Sequence, residues 1–205
     1  MFNFFSKRKK TKKDNNEITN DCKDTSSNIN INSQIEFLKK NGWLKYEDFS
    51  LEKSNLLLMD DKYAIISAVI DDLENLNDSN SFHLEDYNII TVSSKMAGFD
   101  VLDILQNSPD IIIDYAFLDI ILGGKKVIND KRIMIDGVDV AIQIWNKFPQ
   151  AQILFFSGCI IEPSNDKSHF TSRFKTYRGE DLNNYILSKD INFDSASERL
   201  KRFFN

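Results

Sequence analysis

Short continuous apolar runs alternate along the chain with segments whose apolar residues recur at helical spacing. The run Leu56 to Met59 is typical of a strand that is buried on both faces. Strands are predicted over residues 55–59, 88–93, 110–118, 151–157 and 185–188, and helices around residues 65–73, 96–105 and 138–148 and after residue 194. This alternation predicts an α/β fold in which a parallel sheet is built from right-handed crossovers.

The chain before the first strand follows a different pattern. Residues 1–32 are mostly polar, and we expect them to form a disordered basic tail and a polar linker. Residues 33–53 contain a short helix that Ser33 can cap, followed by large apolar side chains such as Trp43. We expect this N-terminal extension to pack on the domain formed by residues 54–205.

Charge is distributed unevenly along the sequence. Residues 1–13 carry six cations and no acid, although the whole chain has a net charge of −5. The remainder is therefore strongly acidic, which argues against a nucleic-acid partner. Residues 1–13 could make weak contact with an anionic membrane surface, and the alternative is a solvated tail.

The remaining composition favours a cytoplasmic protein. No apolar run approaches the ~18 residues of a transmembrane helix, and the N-terminal pattern is not that of a secretory signal. The two cysteines, Cys22 and Cys159, do not make a disulfide framework or a metal-binding spacing.

Polar residues follow several of the predicted strands at the point where each strand ends. These are Asp60 and Asp61, Asp119, Ser157 and Lys189. Each alone is most simply a turn, cap or surface residue. Together, neighbouring carboxylates at the carboxyl ends of parallel strands suit Mg²⁺, and an aspartate can act as a nucleophile toward phosphorus. A lysine and a hydroxyl nearby could neutralise a phosphoryl group.

At these positions the sequence resembles the receiver domains of response regulators. The resemblance is carried by Leu56 to Asp61, Asp114 to Ile120, Asp136 to Ala141, Phe148 to Gly158 and Ile186 to Lys189. It implies a flavodoxin-like fold with a five-stranded parallel sheet of order 2-1-3-4-5 and helices on both faces.

The resemblance also implies roles for individual residues. Asp119 would accept a phosphoryl group from a histidine kinase or a phosphotransfer partner. Asp61 and Asp119 would ligate Mg²⁺, with Asp60 acting through water. Ser157 would bond a phosphoryl oxygen, and Lys189 would pair with Asp119 or its phosphate.

A second aspartate competes with Asp119 as the acceptor. Asp114 lies five residues upstream, near the predicted start of the third strand rather than its carboxyl end. Because ligands bind outside the carboxyl ends of the strands in such sheets, we prefer Asp119.

The sequence departs from the family pattern at two places near the candidate site. Residues 123–135 form a long insertion, predicted to be a β-hairpin that turns at Asn129-Asp130 and carries four cations. It is either a simple insertion or a contact for a partner or phosphodonor. The second departure follows Lys189, where Asp190 replaces the usual proline.

The function predicted from the sequence is that of a phospho-accepting signalling protein in a two-component phosphorelay. It would act through an unidentified output protein, with a homodimer as one arrangement, and would not be an enzyme. The alternative is a receiver-like protein-binding module that is not phosphorylated. A phosphatase of the haloacid-dehalogenase type is disfavoured, because Asp60-Asp61-Lys62 lacks the Asp-x-Asp pattern of that class.

Overall fold

The helices and strands alternate as the apolar pattern predicts. The structure is a computed structural model that describes residues 24–77, 83–157, 168–188, 200 and 203–204. The helices are α1 (Asp24–Lys40), α2 (Tyr63–Asn77), α3 (Ala97–Asn107), α4 (Gly137–Lys147) and α5 (Ser168–Arg178). The strands are β1 (Ser54–Met59), β2 (Tyr87–Val92), β3 (Tyr115–Asp119), β4 (Lys125–Ile128), β5 (Lys131–Met134), β6 (Gln152–Ser157) and β7 (Ile186–Ser188).

The main sheet has five strands in the order β2-β1-β3-β6-β7, and every pairing in it is parallel. When the separate hairpin is left out of the count, this is the order 2-1-3-4-5, so the predicted flavodoxin-like fold is confirmed. The central strand β1 pairs on both sides, with Leu57 opposite Ile90 of β2 and Ala116 of β3. A strand in this position is covered on both faces, which explains its unbroken apolar sequence.

Two apolar clusters cover the two faces of the sheet. Along β1, Leu57 and Met59 belong to one cluster, whereas Leu56 and Leu58 belong to the other, because successive side chains of a strand point to opposite faces. Helices α1, α3, α4 and α5 contribute to the first cluster, and α2 contributes to the second together with Leu200, Phe203 and Phe204.

The N-terminal extension packs on the domain and pairs with β2, an edge strand of the main sheet. Leu38 of α1 is fully buried in the first apolar cluster. After α1, Leu44 forms an antiparallel bridge with Ile90, and the backbone N–H of Thr91 donates to the carbonyl of Trp43 at 2.7 Å. This segment therefore pairs with an edge strand that would otherwise expose backbone donors and acceptors.

Two element boundaries and one helix depart most from the sequence prediction. Helix α1 begins at Asp24 rather than at Ser33, so part of the expected linker is helical. Strand β3 begins at Tyr115 rather than at Asp110. Ile111 and Ile113 are buried in the first apolar cluster, but the residues before Tyr115 are not part of the strand. Helix α5 was not predicted, since it is mostly polar and only Phe174 is fully buried among its described side chains.

The predicted hairpin is confirmed as a separate two-stranded antiparallel sheet, β4 with β5. Its turn consists of Asn129 and Asp130, whose φ angles are 50° and 60°. A two-residue hairpin turn with positive φ at both positions matches the right-handed twist of the strands that it joins, and Asn and Asp tolerate that backbone conformation.

Candidate functional site

Three carboxylates meet at the carboxyl ends of β1 and β3. Asp60 directly follows β1 and is 2% exposed, Asp119 is the last residue of β3 and is 5% exposed, and Asp61 is half-buried. One oxygen from each lies within 4.8 Å of the others. The sequence predicted that these residues lie at strand ends, and the parallel pairing of β1 with β3 explains why the ends coincide.

Local backbone hydrogen bonds orient two of these side chains. The N–H of Lys62 donates to Asp60 Oδ1 at 2.9 Å, and the N–H of Ile121 donates to Asp119 Oδ1 at 3.4 Å. Each bond joins an aspartate to the residue two positions later, the pattern by which aspartate shapes a tight turn. The chain therefore turns away from the sheet after Asp60 and Asp119, and their carboxylates lie at the carboxyl edge of the sheet.

Close backbone packing supports the end of β3. The N–H of Gly137, the first residue of α4, donates to the carbonyl of Ile120 at 3.1 Å. A methyl group on Gly137 would lie 2.2 Å from the carbonyl oxygen of Asp119, far inside the contact distance of the two atoms. Only glycine lets α4 approach the backbone of Asp119 this closely.

The acidic cluster fits a small hard cation. Carboxylate oxygens are the ligands that Mg²⁺ takes in proteins, and such sites use one or two carboxylates together with water. Three carboxylates this close repel one another in a partly dehydrated setting, and a divalent cation would remove that repulsion. Asp60, Asp61 and Asp119 are therefore the residues that could hold Mg²⁺.

The other two predicted site residues are Ser157, the last residue of β6, and Lys189, which follows the last residue of β7 in sequence. Asp119 is in register with Phe156, the residue before Ser157, and Ser157 is in register with Ser188. The backbone of Ser157 thus ends β6 beside the acidic cluster, while its side chain lies outside the described residues. Lys189 follows Ser188 in sequence and also lies outside the described residues. The basic residues 1–13, for which contact with a membrane surface was considered, lie outside them too.

The competing aspartate lies at the opposite end of the sheet. Asp114 precedes β3, and its carboxylate accepts a hydrogen bond from the backbone N–H of Asn55 at 2.8 Å. Its own N–H donates to the carbonyl of Asn55 at 3.1 Å. Asp114 is therefore part of the contact between the amino ends of β1 and β3, away from the acidic cluster.

The structure adds a cation that sequence reasoning missed. The guanidinium of Arg173 on α5 forms ion pairs with Asp136 and Asp139, which also cap the start of α4 through a reciprocal capping box. Burial raises the pKa of Asp136 above its ordinary value, although Arg173 acts in the opposite direction. No motif marked Arg173, because α5 lacks the apolar periodicity that would have placed it.

Comparison with known proteins finds similarity only at the level of three-dimensional structure. No protein-family model matches the sequence, and no curated protein matches it. No described helix is long and apolar enough to cross a membrane.

The similar solved structures include receiver domains of response regulators and of a sensor histidine kinase. A response regulator receiver protein from Sinorhizobium medicae is 21% identical, with 76% of this chain and 100% of that chain covered and a TM-score of 0.46. The receiver domain of a sensor histidine kinase from Pseudomonas aeruginosa, solved with magnesium in its active-site cleft, is 12% identical, with 74% and 98% covered and a TM-score of 0.45.

A response regulator solved in complex with a histidine kinase is 21% identical, with 74% of this chain and 99% of that chain covered and a TM-score of 0.44. The structural neighbours thus come from the family that the sequence resembles. At these identities and TM-scores, the function of this chain has to be derived from its own residues.

Proposed function

We propose that the protein accepts a phosphoryl group on Asp119 from a histidine kinase or a phosphotransfer protein and passes the signal on through protein contacts. In this role it is a signalling component and not an enzyme that turns over a substrate. The observation that carries the proposal is the meeting of Asp60, Asp61 and Asp119 within 4.8 Å at the carboxyl edge of a 2-1-3-4-5 parallel sheet.

The position of Asp119 suits a nucleophile. It is the last residue of β3, its backbone is supported by Gly137 on one side and Phe156 on the other, and its side chain belongs to the acidic cluster. In the transfer, a carboxylate oxygen of Asp119 forms a bond to phosphorus while the bond between phosphorus and the donor's nitrogen breaks. The donor nitrogen keeps the electron pair of that bond and takes up a proton.

The remaining residues of the site would manage charge. Asp61 and Asp119 would hold Mg²⁺ directly and Asp60 would hold it through water. Bound Mg²⁺ would supply positive charge against the phosphoryl oxygens. Ser157 and Lys189 follow from the family resemblance as the groups that bond and neutralise the transferred phosphoryl group.

Intact-mass measurement after incubation with acetyl phosphate and Mg²⁺ tests the proposal. We expect the wild-type protein to gain one phosphoryl group and Asp119→Asn to gain none. Asp114→Asn is the matched control, because it changes the same residue type at the other end of the same strand, and it should label as the wild type does.

Two outcomes would contradict the proposal. Full labelling of Asp119→Asn would place the acceptor elsewhere. A wild-type protein that binds Mg²⁺ but never gains the phosphoryl mass would favour the unphosphorylated binding module.

A further inference from the structure

The β4–β5 hairpin is anchored at its base to the start of α3. Leu122 before the hairpin and Ile135 after it close over Gly98, where an added methyl group would lie 3.0 Å and 3.1 Å from their side chains. Gly124 packs so tightly on Lys95 that a methyl group there would lie 1.9 Å from the Lys95 carbonyl oxygen. The hairpin is therefore held against the domain by specific close contacts.

The base of the hairpin also borders the acidic cluster. A methyl group on the exposed Gly123 would lie 3.3 Å from Asp61 Oδ2, and β4 begins shortly afterwards at Lys125. A molecule that reaches Asp61 and Asp119 past Gly123 therefore passes beside the hairpin.

The two faces of the hairpin differ in their contacts. Directly paired residues of an antiparallel ribbon share a face, and the faces alternate along each strand. Lys126, paired with the half-buried Ile133, lies 5.5 Å over the ring of Phe99 on α3, so this is the inner face.

The outer face is formed by the other pairs, Lys125 with Met134 and Val127 with Arg132. All four side chains are exposed, with Val127 at 68% and Met134 at 57%. We call these four residues the outer hairpin face. It combines two apolar side chains with two cations.

The charge of the hairpin is opposite to that of the protein around it. Residues 125–134 carry four cations and a single acid, whereas the whole chain has a net charge of −5. An acidic partner is repelled by most of this surface and attracted to the hairpin, so the field directs it to the side of the molecule that holds Asp119.

Building on the proposed function, we infer that the outer hairpin face docks the protein that donates the phosphoryl group. The donor presents carboxylates to Lys125 and Arg132 around an apolar contact with Val127 and Met134. A protein is favoured over a small anionic donor because a small anion needs only the cations. Exposed methionine and valine beside arginine give the mixed character of a protein interface.

The test compares two phosphodonors on charge-reversed variants. The small donor is acetyl phosphate. The protein donors are the histidine kinases and phosphotransfer proteins of the source organism, each purified and phosphorylated. The hairpin variant is Lys125→Glu/Arg132→Glu. The matched control is Lys45→Glu/Lys53→Glu, which makes the same change in net charge near the amino ends of β2 and β1.

We expect all variants to be labelled by acetyl phosphate at the wild-type rate. The protein donor that labels the wild-type protein should label the hairpin variant at least about tenfold more slowly at low salt, with a smaller deficit at high salt, and should label the control normally. Val127→Ser/Met134→Ser should also slow labelling by the protein donor, with little dependence on salt.

Three results would overturn the inference while leaving the proposed function standing. The first is labelling of the hairpin variants by the protein donor at the wild-type rate, and the second is an equal loss in the control. The third is labelling of the wild-type protein by acetyl phosphate but by no histidine kinase or phosphotransfer protein. Failure of acetyl phosphate to label the wild-type protein would instead overturn the proposed function and the inference with it.

Discussion

The two ends of the sheet use the same kinds of polar side chain for opposite purposes. At the amino end, Asn55 Nδ2 donates to the carbonyl of Ile112 at 2.8 Å, and Asn88 Nδ2 donates to Asn55 Oδ1 at 2.8 Å. Asn88 also exchanges hydrogen bonds with the backbone of Ser50, at 2.7 and 2.9 Å. The carboxylate of Asp114 also accepts a hydrogen bond from the N–H of Asn55. At this end of the sheet, each of these polar groups is therefore paired with a group of the opposite kind.

At the carboxyl end, polar groups of the same sign are brought together instead. Asp60, Asp61 and Asp119 place acceptor oxygens within 4.8 Å of one another, and two of the three are almost fully buried. Donor–acceptor networks stabilise a fold, whereas crowded carboxylates destabilise it unless a cation is bound. Burial of a polar group alone therefore does not mark a functional site, whereas a buried cluster of carboxylates at the edge where parallel strands end is a candidate for one.

The largest effect is expected where the backbone itself is crowded. Gly137→Ala would place a methyl group 2.2 Å from the Asp119 carbonyl oxygen, so α4 or β3 must shift. We expect the free energy of unfolding to fall by about 3 kcal/mol or more, within the range of severe overpacking. Urea denaturation followed by circular dichroism measures it.

Gly123→Ala is the matched control for that prediction. Its methyl group would lie 3.3 Å from Asp61 Oδ2, a side-chain atom that can move aside, so the stability should change little. Equal losses of stability in the two variants would show that the loss does not come from the close approach of Gly137 to β3.

The next largest effect is expected from removing the hydrogen bonds of Asn88 at the amino end of the sheet. Asn88→Ala removes the partner of Asn55 Oδ1 and of both backbone groups of Ser50. Buried groups left without partners cost about 1–3 kcal/mol each, and water will reach the half-buried Ser50, so we expect a total loss of about 2–3 kcal/mol. Labelling of Asp119 by acetyl phosphate should be unchanged in the folded variant. A large loss of labelling would mean that the two ends are coupled.

Which of these features the sequence predicts depends on how local their cause is. The strand of Leu56 to Met59 follows from its own apolar run, and the turn of Asn129-Asp130 follows from its own residue types. The location of Asp119 at a strand end follows from the polar residue that closes an apolar run. These features need only nearby residues, so one sequence is enough to predict them.

Features that depend on distant parts of the chain were predicted poorly or not at all. The ion pairs of Arg173 with Asp136 and Asp139 join residues more than thirty positions apart on helices with no shared motif. The segment with Ile111 and Ile113 resembles a strand in sequence because it is apolar, and only the pairing of Tyr115 with Leu56 shows where β3 begins. The strand order followed from the family resemblance and not from periodicity.

The same substitution, aspartate to asparagine, can be made at both ends of the sheet. Asp61→Asn removes one of the crowded charges, so without metal we expect the free energy of unfolding to rise by about 0.5–1 kcal/mol. Asp114→Asn weakens a hydrogen bond from the N–H of Asn55 to an ionised acceptor, so we expect a loss of about 1 kcal/mol. Denaturation in EDTA measures both.

Added Mg²⁺ gives the complementary result. It should stabilise the wild-type protein and Asp114→Asn by ligand linkage, and it should stabilise Asp61→Asn less. Equal stabilisation of all three proteins by Mg²⁺ would place the metal away from the acidic cluster.

The smallest effect concerns Asp136, which lies near the acidic cluster but has a cation beside it. Burial raises the pKa of its carboxyl in the folded state, so between the ordinary and the raised pKa the folded protein holds more protons than the unfolded chain. The contribution of Asp136 to stability therefore increases as the pH falls through this window, and it is lost as the pH rises above the raised pKa. Asp136→Asn keeps a capping side chain and removes this dependence, so the stability of the wild-type protein relative to the variant should increase on acidification.

Arg173→Gln gives the opposite expectation, because Arg173 lowers the pKa of Asp136 and its removal lets burial raise that pKa further. The window in which acid stabilises the protein should then extend to higher pH, as measured by urea denaturation over a series of buffers. The expectation is contradicted if the free energy of unfolding changes with pH in the same way in the wild-type protein, Asp136→Asn and Arg173→Gln. The pKa of the Asp136 carboxyl would then be the same in the folded and unfolded states. If only the wild-type protein and Asp136→Asn agree, Arg173 balances the effect of burial on the Asp136 carboxyl fully.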